Sequence, residues 1–363
     1  LPSAKRATTQ VQNIVSEPQE SNVRTSVLEP SIQVVTTTVT TVPSASTLPS
    51  TNMTAQTTSK LLPRLIRLAF TARETAEGAG ARVRRAIGVP QLRNFTPFLM
   101  LDHFFVSPGA GFPDHPHRGQ ETITYLLGGG MEHEDFAGNR GLLRPGDLQF
   151  MTAGRGIVHA EMPAPDLKDG EKSVGLQLWV DLPEKLKGCE PRYRDLRREE
   201  VPVVQADGGK VTVKVISGVS EGVESVKDLA YTPVWLLDLE VKPGGKIAQR
   251  VPEGWNAFVY VLEGDVVLGD PEGDKKKVGQ YNMVVFEKEG DAVYVSVEEG
   301  AEKNARLVIV AGTPLDQKIV QYGPFVVTNQ EAVYQAFMDY QTHSNGFERA
   351  KDWESEIGKR MRH

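Results

Sequence analysis

GAGFPDHPHRGQETITYLLGG occupies residues 109–129 and PGDLQFMTAGRGIVHAEMP residues 145–163. Five of the seven histidines lie between His103 and His159. His115 and His117 flank one proline, and His159 stands two residues before Glu161. Alternate residues of a strand share a face, and Pro116 favours extended backbone, so each pair projects to one side. Two such pairs on neighbouring strands of a barrel bring four ligands to one point. Three imidazoles and one carboxylate suit Fe, Mn, Ni, Cu or Zn and leave coordination positions open. One His-x-His alone would be weak evidence. His-x-His with His-x-Glu in the same domain points to a metal site holding His115, His117, His159 and Glu161.

Outward from this stretch, the chain reads as short strands at regular spacing. RLIRLAFTARE (64–74) and ARVRRAIG (81–88) are expected as two strands joined by the turn AEGAG. FTPFLMLDHFFV (95–106) is a buried strand, SPGAGFPDHP a loop, and ETITYLLGG (121–129) the next strand. LLRPGDLQFMTAG, IVHAEM and VGLQLWVDLP follow in the same way. The pattern is all-β, a sandwich or barrel, and not a series of βαβ units.

A repeat doubles it. Thr96-Pro97-Phe98-Leu99-Met100-Leu101-Asp102 recurs as Thr232-Pro233-Val234-Trp235-Leu236-Leu237-Asp238. At the same spacing Gly109 meets Gly245 and Gly128 meets Gly264; VGLQLWVDLP (174–183) parallels RLVIVAGTPL (306–315). Two barrels of one kind follow. His115, His117 and Glu121 fall on Val251, Glu253 and Ala257, and no histidine lies between His159 and His343. The second barrel therefore keeps the scaffold without the ligands, giving one metal per chain.

The expected organisation is a disordered Ser/Thr-rich extension over 1–62, a metal-binding barrel over 63–188, a ligand-free barrel over 189–325, and a C-terminal helical segment over 326–363. In that last segment NQEAVYQAFMDYQ (329–341) carries a helical apolar stripe, and FERAKDWESEIGKRM (347–361) is expected as a second helix. The extension is too poor in large apolar residues to offset its chain entropy. A net charge of -6 gives no reason to expect direct nucleic-acid binding, and no apolar run reaches a membrane span. The single cysteine, Cys189, allows no intramolecular disulfide and favours a reducing compartment.

Gly109, His115, His117, Glu121 and Gly128 form G-x5-HxH-x3-E-x6-G, which resembles the first motif of the cupin superfamily. The second cupin motif is matched only in part: Gly146 is in place, Thr152 replaces its proline, and His159 comes two residues late. LDHFF, DHPHRGQETITYLL, HEDFAGN, PGDLQFMTAGRGIVHAEMP and GPFVVTNQEAVYQA together resemble the pirin family of bicupins over about residues 64–360. The resemblance implies two tandem jelly-roll (double-stranded β-helix) barrels. It carries the ligand set over to His115, His117, His159 and Glu161, the set reached from spacing. Glu121 matches the usual cupin ligand glutamate but not the pirin one, and is expected to hold Arg118 or a ligand histidine by a hydrogen bond. Phe112, Phe150 and Met151 are candidates for a pocket over the metal, with core packing as the alternative.

Two functions follow from the resemblance. One is a metal-dependent ring-cleaving dioxygenase of quercetinase type, acting on a flavonol-like substrate, with Glu161 as both ligand and base. The other is an iron protein of the nucleus or cytoplasm that senses redox state and binds a transcription factor without catalysis. Fe(II) is the expected ion in both.

Overall fold

The computed structural model describes residues 61–361. The expected extension lies almost wholly outside the described residues.

Period-two apolar patterning produces two seven-stranded sheets and two four-stranded ones. In the N-terminal half the large sheet runs Arg192–Leu196, Leu148–Thr152, Gln120–Gly128, Ser173–Asp181, Phe98–Val106, Ala81–Ile87, Arg73–Glu77. In the C-terminal half it runs Ile66–Thr71, Asn282–Phe286, Asn256–Glu263, Ala305–Gly312, Val234–Val241, Val211–Ser217, Val203–Ala206. The small sheets match as well: Phe112–His117, Ile157–Pro163, Met131–Asp135, Arg140–Leu143 against Lys246–Arg250, Ala292–Ser296, Val266–Gly269, Lys275–Val278. The two halves thus have one strand order, as the repeat predicts, and each is a cupin-type jelly roll.

The central strands of each large sheet, such as Phe98–Val106 and Asn256–Glu263, are buried on both faces. Phe98, Ile123, Tyr125, Leu148 and Leu178 form one cluster with Phe258, Tyr260, Leu262, Val308 and Val310, so the large sheets pack against each other. The C-terminal barrel's interior is filled by Val213, Val259, Val261, Val293, Val295 and Leu307. The N-terminal interior has a smaller apolar cluster around Val83, Phe104 and Leu126. The remaining interior space is where the histidines sit.

Four expectations change. Ile66–Thr71 does not pair with Ala81–Ile87; it runs antiparallel to Asn282–Phe286 at the edge of the C-terminal sheet. The hairpin across the 78–80 turn is instead Arg73–Glu77 with Ala81–Ile87. The strand Phe112–His117 begins inside the expected loop, because it pairs with Ile157–Pro163 despite two prolines; an edge position tolerates them. The expected second C-terminal helix is only two 3-10 turns, Glu348–Lys351 and Gly358–Arg360. Its backbone donors go to barrel carboxylates, Ser355 N–H to Asp114 and those of Glu356 and Ile357 to Glu134. The helix Gln330–Thr342 is present and is capped by the Asn329 side chain.

The fourth change concerns the repeat. Ala257 lies with Val259 and Val261 inside its barrel, whereas Ile123 and Tyr125, on the same face as Glu121, pack between the barrels. The 136-residue correspondence therefore slips by one within this strand, and one residue of slip exchanges the two faces.

The turn after the ligand strand is pinned at Gly119. Its φ is +80°, and a Cβ there would collide with the carbonyl oxygen of Val326. Gly119→Ala combines left-handed strain with displacement of that carbonyl, at a cost of about 2–4 kcal/mol. A thermal melt is expected to show a clear drop in midpoint, together with weaker metal uptake, since His117 is two residues away.

Candidate metal centre

Edge strand Phe112–His117 carries two of the four sequence-predicted ligands, and its neighbour Ile157–Pro163 the others. In the ladder His159 stands opposite His115, and Ile157 opposite His117. The three imidazoles share the inward face, with ring centroids 4.9 Å (His115–His117), 4.4 Å (His115–His159) and 4.9 Å (His117–His159) apart. One ring nitrogen from each lies within 4.8 Å of the others, and this is the one such cluster among the described residues.

The free donor atoms are those a metal would use. His115 Nδ1 is 2.8 Å from Pro113 O, which leaves Nε2 facing inward. His117 Nδ1 is 3.0 Å from the Gln120 carboxamide, which again leaves Nε2. His159 is buried, and neither ring nitrogen has a partner. A buried unpaired polar atom costs about 1–3 kcal/mol, so an imidazole with two of them fits a cation more than a core. Burial, and then the neighbouring histidines, hold the imidazoles of His117 and His159 well below their ordinary pKa. They stay neutral with lone pairs available. The three histidines fit a metal ion by these donors alone.

Glu161 stands outside the three-histidine cluster. The ladder shifts register between His159 and Glu161, so Glu161 sits opposite Phe112. Its buried carboxylate accepts from Thr124 Oγ1 at 3.1 Å and from Gln177 Nε2 at 3.1 and 3.3 Å. It faces the same cavity as His115 and His117.

Glu121 holds neither Arg118 nor a histidine. Its carboxylate accepts from the backbone N–H groups of Tyr231 (2.9 Å) and Thr232 (3.0 Å) and from Thr152 Oγ1 (2.8 Å). Strand alternation explains this: Gln120 and Thr124 face the metal side, so Glu121 faces the second barrel. Burial raises the Glu121 pKa, against those hydrogen bonds. Arg118 turns outward, donating to Asp339 (2.7 Å), Arg155 O (2.6 Å) and Asn345 O (2.6 Å), with its guanidinium 4.7 Å from the Phe347 ring centroid. It ties the ligand strand to the C-terminal segment.

A cavity of about 1050 Å³ opens onto the site. Met100, Phe112 and Trp179 line it, while Phe150 and Met151 are buried in core clusters. Trp179 stands edge-on to His117 at 5.0 Å. At a second edge of the cavity Arg85 donates to both oxygens of Asp102 at 2.9 and 2.7 Å and to Glu77 at 2.7 Å. Gln120, Thr124, Gln177 and Trp179 escape a search for metal ligands, because none is one. The signal that finds Gln120 and Thr124 is strand parity counted against Glu121.

The pirin family model matches residues 80–180, and that of the pirin C-terminal cupin domain matches residues 236–346. Human pirin is 48% identical over 294 residues, covering 81% of this chain and 98% of that one. A pirin-like protein of Solanum lycopersicum is 46% identical over 293 residues, covering 81% and 97%. Among solved structures, a quercetin 2,3-dioxygenase from Acinetobacter baumannii superposes with a TM-score of 0.70 at 28% identity, over 77% of this chain and 98% of that one. A bacterial pirin from Escherichia coli, solved in complex with nickel(II), shares the fold at TM-score 0.53 and 21% identity, over 68% and 99%.

Proposed function

Because the chain belongs to the pirin family, we propose that it is a mononuclear metal protein with quercetin 2,3-dioxygenase-type activity on flavonol-like substrates. The observation that carries this reading is the cavity of about 1050 Å³ leading to the three histidines. Pockets for small ligands run to about 300–1,000 Å³. A redox-sensing co-regulator would use the metal but has no need of that volume; the volume favours the enzyme.

In this reading His115, His117 and His159 hold the ion, Fe(II) by expectation, with Glu161 as the fourth ligand. Once bound, the ion supplies Lewis acidity and open positions for substrate and dioxygen. The chain's own residues do the rest. Phe112 and Trp179 present flat, apolar surface to a planar ring system, with the Met100 thioether beside them. Glu161, whose carboxylate accepts from Thr124 and Gln177, is in this reading the base that takes the proton of a flavonol hydroxyl brought to the histidines.

The test is anaerobic purification, loading with Fe(II), and addition of quercetin with oxygen, following oxygen uptake and carbon monoxide release. Turnover by the loaded protein and its fall to background in His115→Ala are expected. Absence of turnover in fully loaded protein would sink this activity for that substrate.

A further inference from the structure

Gln120 is fully buried beside the histidine cluster, and its carboxamide makes one hydrogen bond, from Nε2 to His117 Nδ1 at 3.0 Å. Its Oε1, equally buried, has no partner. The chemistry of His117 makes this contact consequential. A neutral imidazole carries one N–H. If Nδ1 accepts from Gln120, the proton sits on Nε2, the nitrogen left to face the metal cluster, and that nitrogen then has no lone pair to give. A half-turn of the carboxamide about its last bond exchanges two atoms of nearly equal size. Oε1 then accepts from Nδ1–H, and the lone pair moves to Nε2.

The half-turn replaces an unpaired buried acceptor by an unpaired buried donor. The two costs are alike, so the exchange is close to neutral, and the much larger free energy of ion binding decides the orientation. We propose that Gln120 is a positioning residue that fixes the tautomer of His117, and that in the metal-loaded protein it does so as an acceptor through Oε1. Metal-bound histidines as a rule donate their other N–H to an acceptor; here a neutral carboxamide three residues along the same chain fills that role. The turn that delivers it is the one pinned by Gly119, so backbone and amide together hold the ring.

The inference rests on the metal-site reading, and the experiment separates the two. Protein labelled with ¹⁵N-histidine, with His117 assigned by His117→Ala, is compared by NMR and by zinc competition with a chelator in wild type, Gln120→Glu and Gln120→Leu. Gln120→Met, of similar length and without an amide, is used if Gln120→Leu does not fold. In zinc-loaded wild type the His117 Nδ1 is expected to carry a slowly exchanging proton. Gln120→Glu keeps that signal and binds zinc at least as tightly. Gln120→Leu loses the slow exchange and binds ~10–100-fold more weakly. Zinc affinity in Gln120→Leu within twofold of wild type, with the signal unchanged, overturns the proposal. If wild type takes up no zinc, the metal-site reading fails. The metal-free spectra then decide the role of Gln120: a His117 tautomer ratio that differs between wild type, Gln120→Glu and Gln120→Leu supports it, and a ratio identical in all three overturns it.

Discussion

His159→Ala is expected to lower metal affinity by at least ~100-fold, beyond the 10–100-fold that loss of an outer hydrogen-bond partner produces. Metal content after dialysis against a weak chelator should fall from about one per chain to near zero. The imidazole lies opposite His115 in the ladder and is buried within the cluster. The metal-free protein should respond differently. Truncation leaves a cavity, but it also removes two buried nitrogens without partners. The two effects oppose each other, about 2–5 kcal/mol for the cavity against roughly 2–6 kcal/mol for the two nitrogens, so the apo melting temperature should barely move. The diagnostic is the difference between loaded and apo midpoints, present in wild type and absent in the variant. Acid adds a second check. The folded-state pKa of His159 and His117 is depressed, so their contribution to stability is present above the unfolded value of about 6.5 and is lost as pH falls below it. Apo wild type should lose stability over that range, and His159→Ala should lose less.

Glu121→Leu is expected to be the most destabilising single change among the charged residues near the site, while leaving metal stoichiometry at about one. Leucine cannot accept the N–H groups of Tyr231 and Thr232 or the hydroxyl of Thr152. Those donors would be stranded in the contact between the barrels, each costing about 1–3 kcal/mol, for a sum of roughly 3–9 kcal/mol. That is a large part of a typical stability of about 5–15 kcal/mol. Thermal unfolding and metal analysis of the folded fraction measure the two quantities separately. Loss of metal without loss of stability would return Glu121 to the ligand role of the general cupin motif.

Much of this was legible in the residues. The strand periodicity, the repeat beginning at Thr96 and Thr232, and the absence of histidine between His159 and His343 were enough for two barrels and one histidine cluster. His-x-His with His-x-Glu was enough to place His115, His117 and His159 together. What local pattern does not contain is which strand pairs with which at a distance. Ile66–Thr71 alternates as well as any strand, and nothing in it says that its partner lies beyond residue 280. The 347–361 stretch has helical spacing, but tertiary carboxylates compete for its backbone donors and win. Glu121 failed on parity: the motif fixes a spacing, while the pleat fixes a face, and one residue separates the metal side from the barrel contact.

The strand Ile66–Thr71 also sets an order of events during synthesis. It leaves the ribosome before any of the N-terminal barrel, yet its partner strand follows far behind, with Thr71 and Asn282 separated by 211 residues. At 5–20 residues per second this is a wait of roughly 10–40 s. The first barrel can close meanwhile, with its histidines in place, while an apolar edge segment stays unpaired at its flank. That segment is a template for any other nascent strand nearby. Pairing with Asn282–Phe286 ends the exposure and locks the beginning of the described chain onto its far half. The C-terminal segment makes the reciprocal crossing when it reaches Asp114 and Arg118. Each half is thus finished by chain belonging to the other, and a cut between the barrels would leave two incomplete pieces.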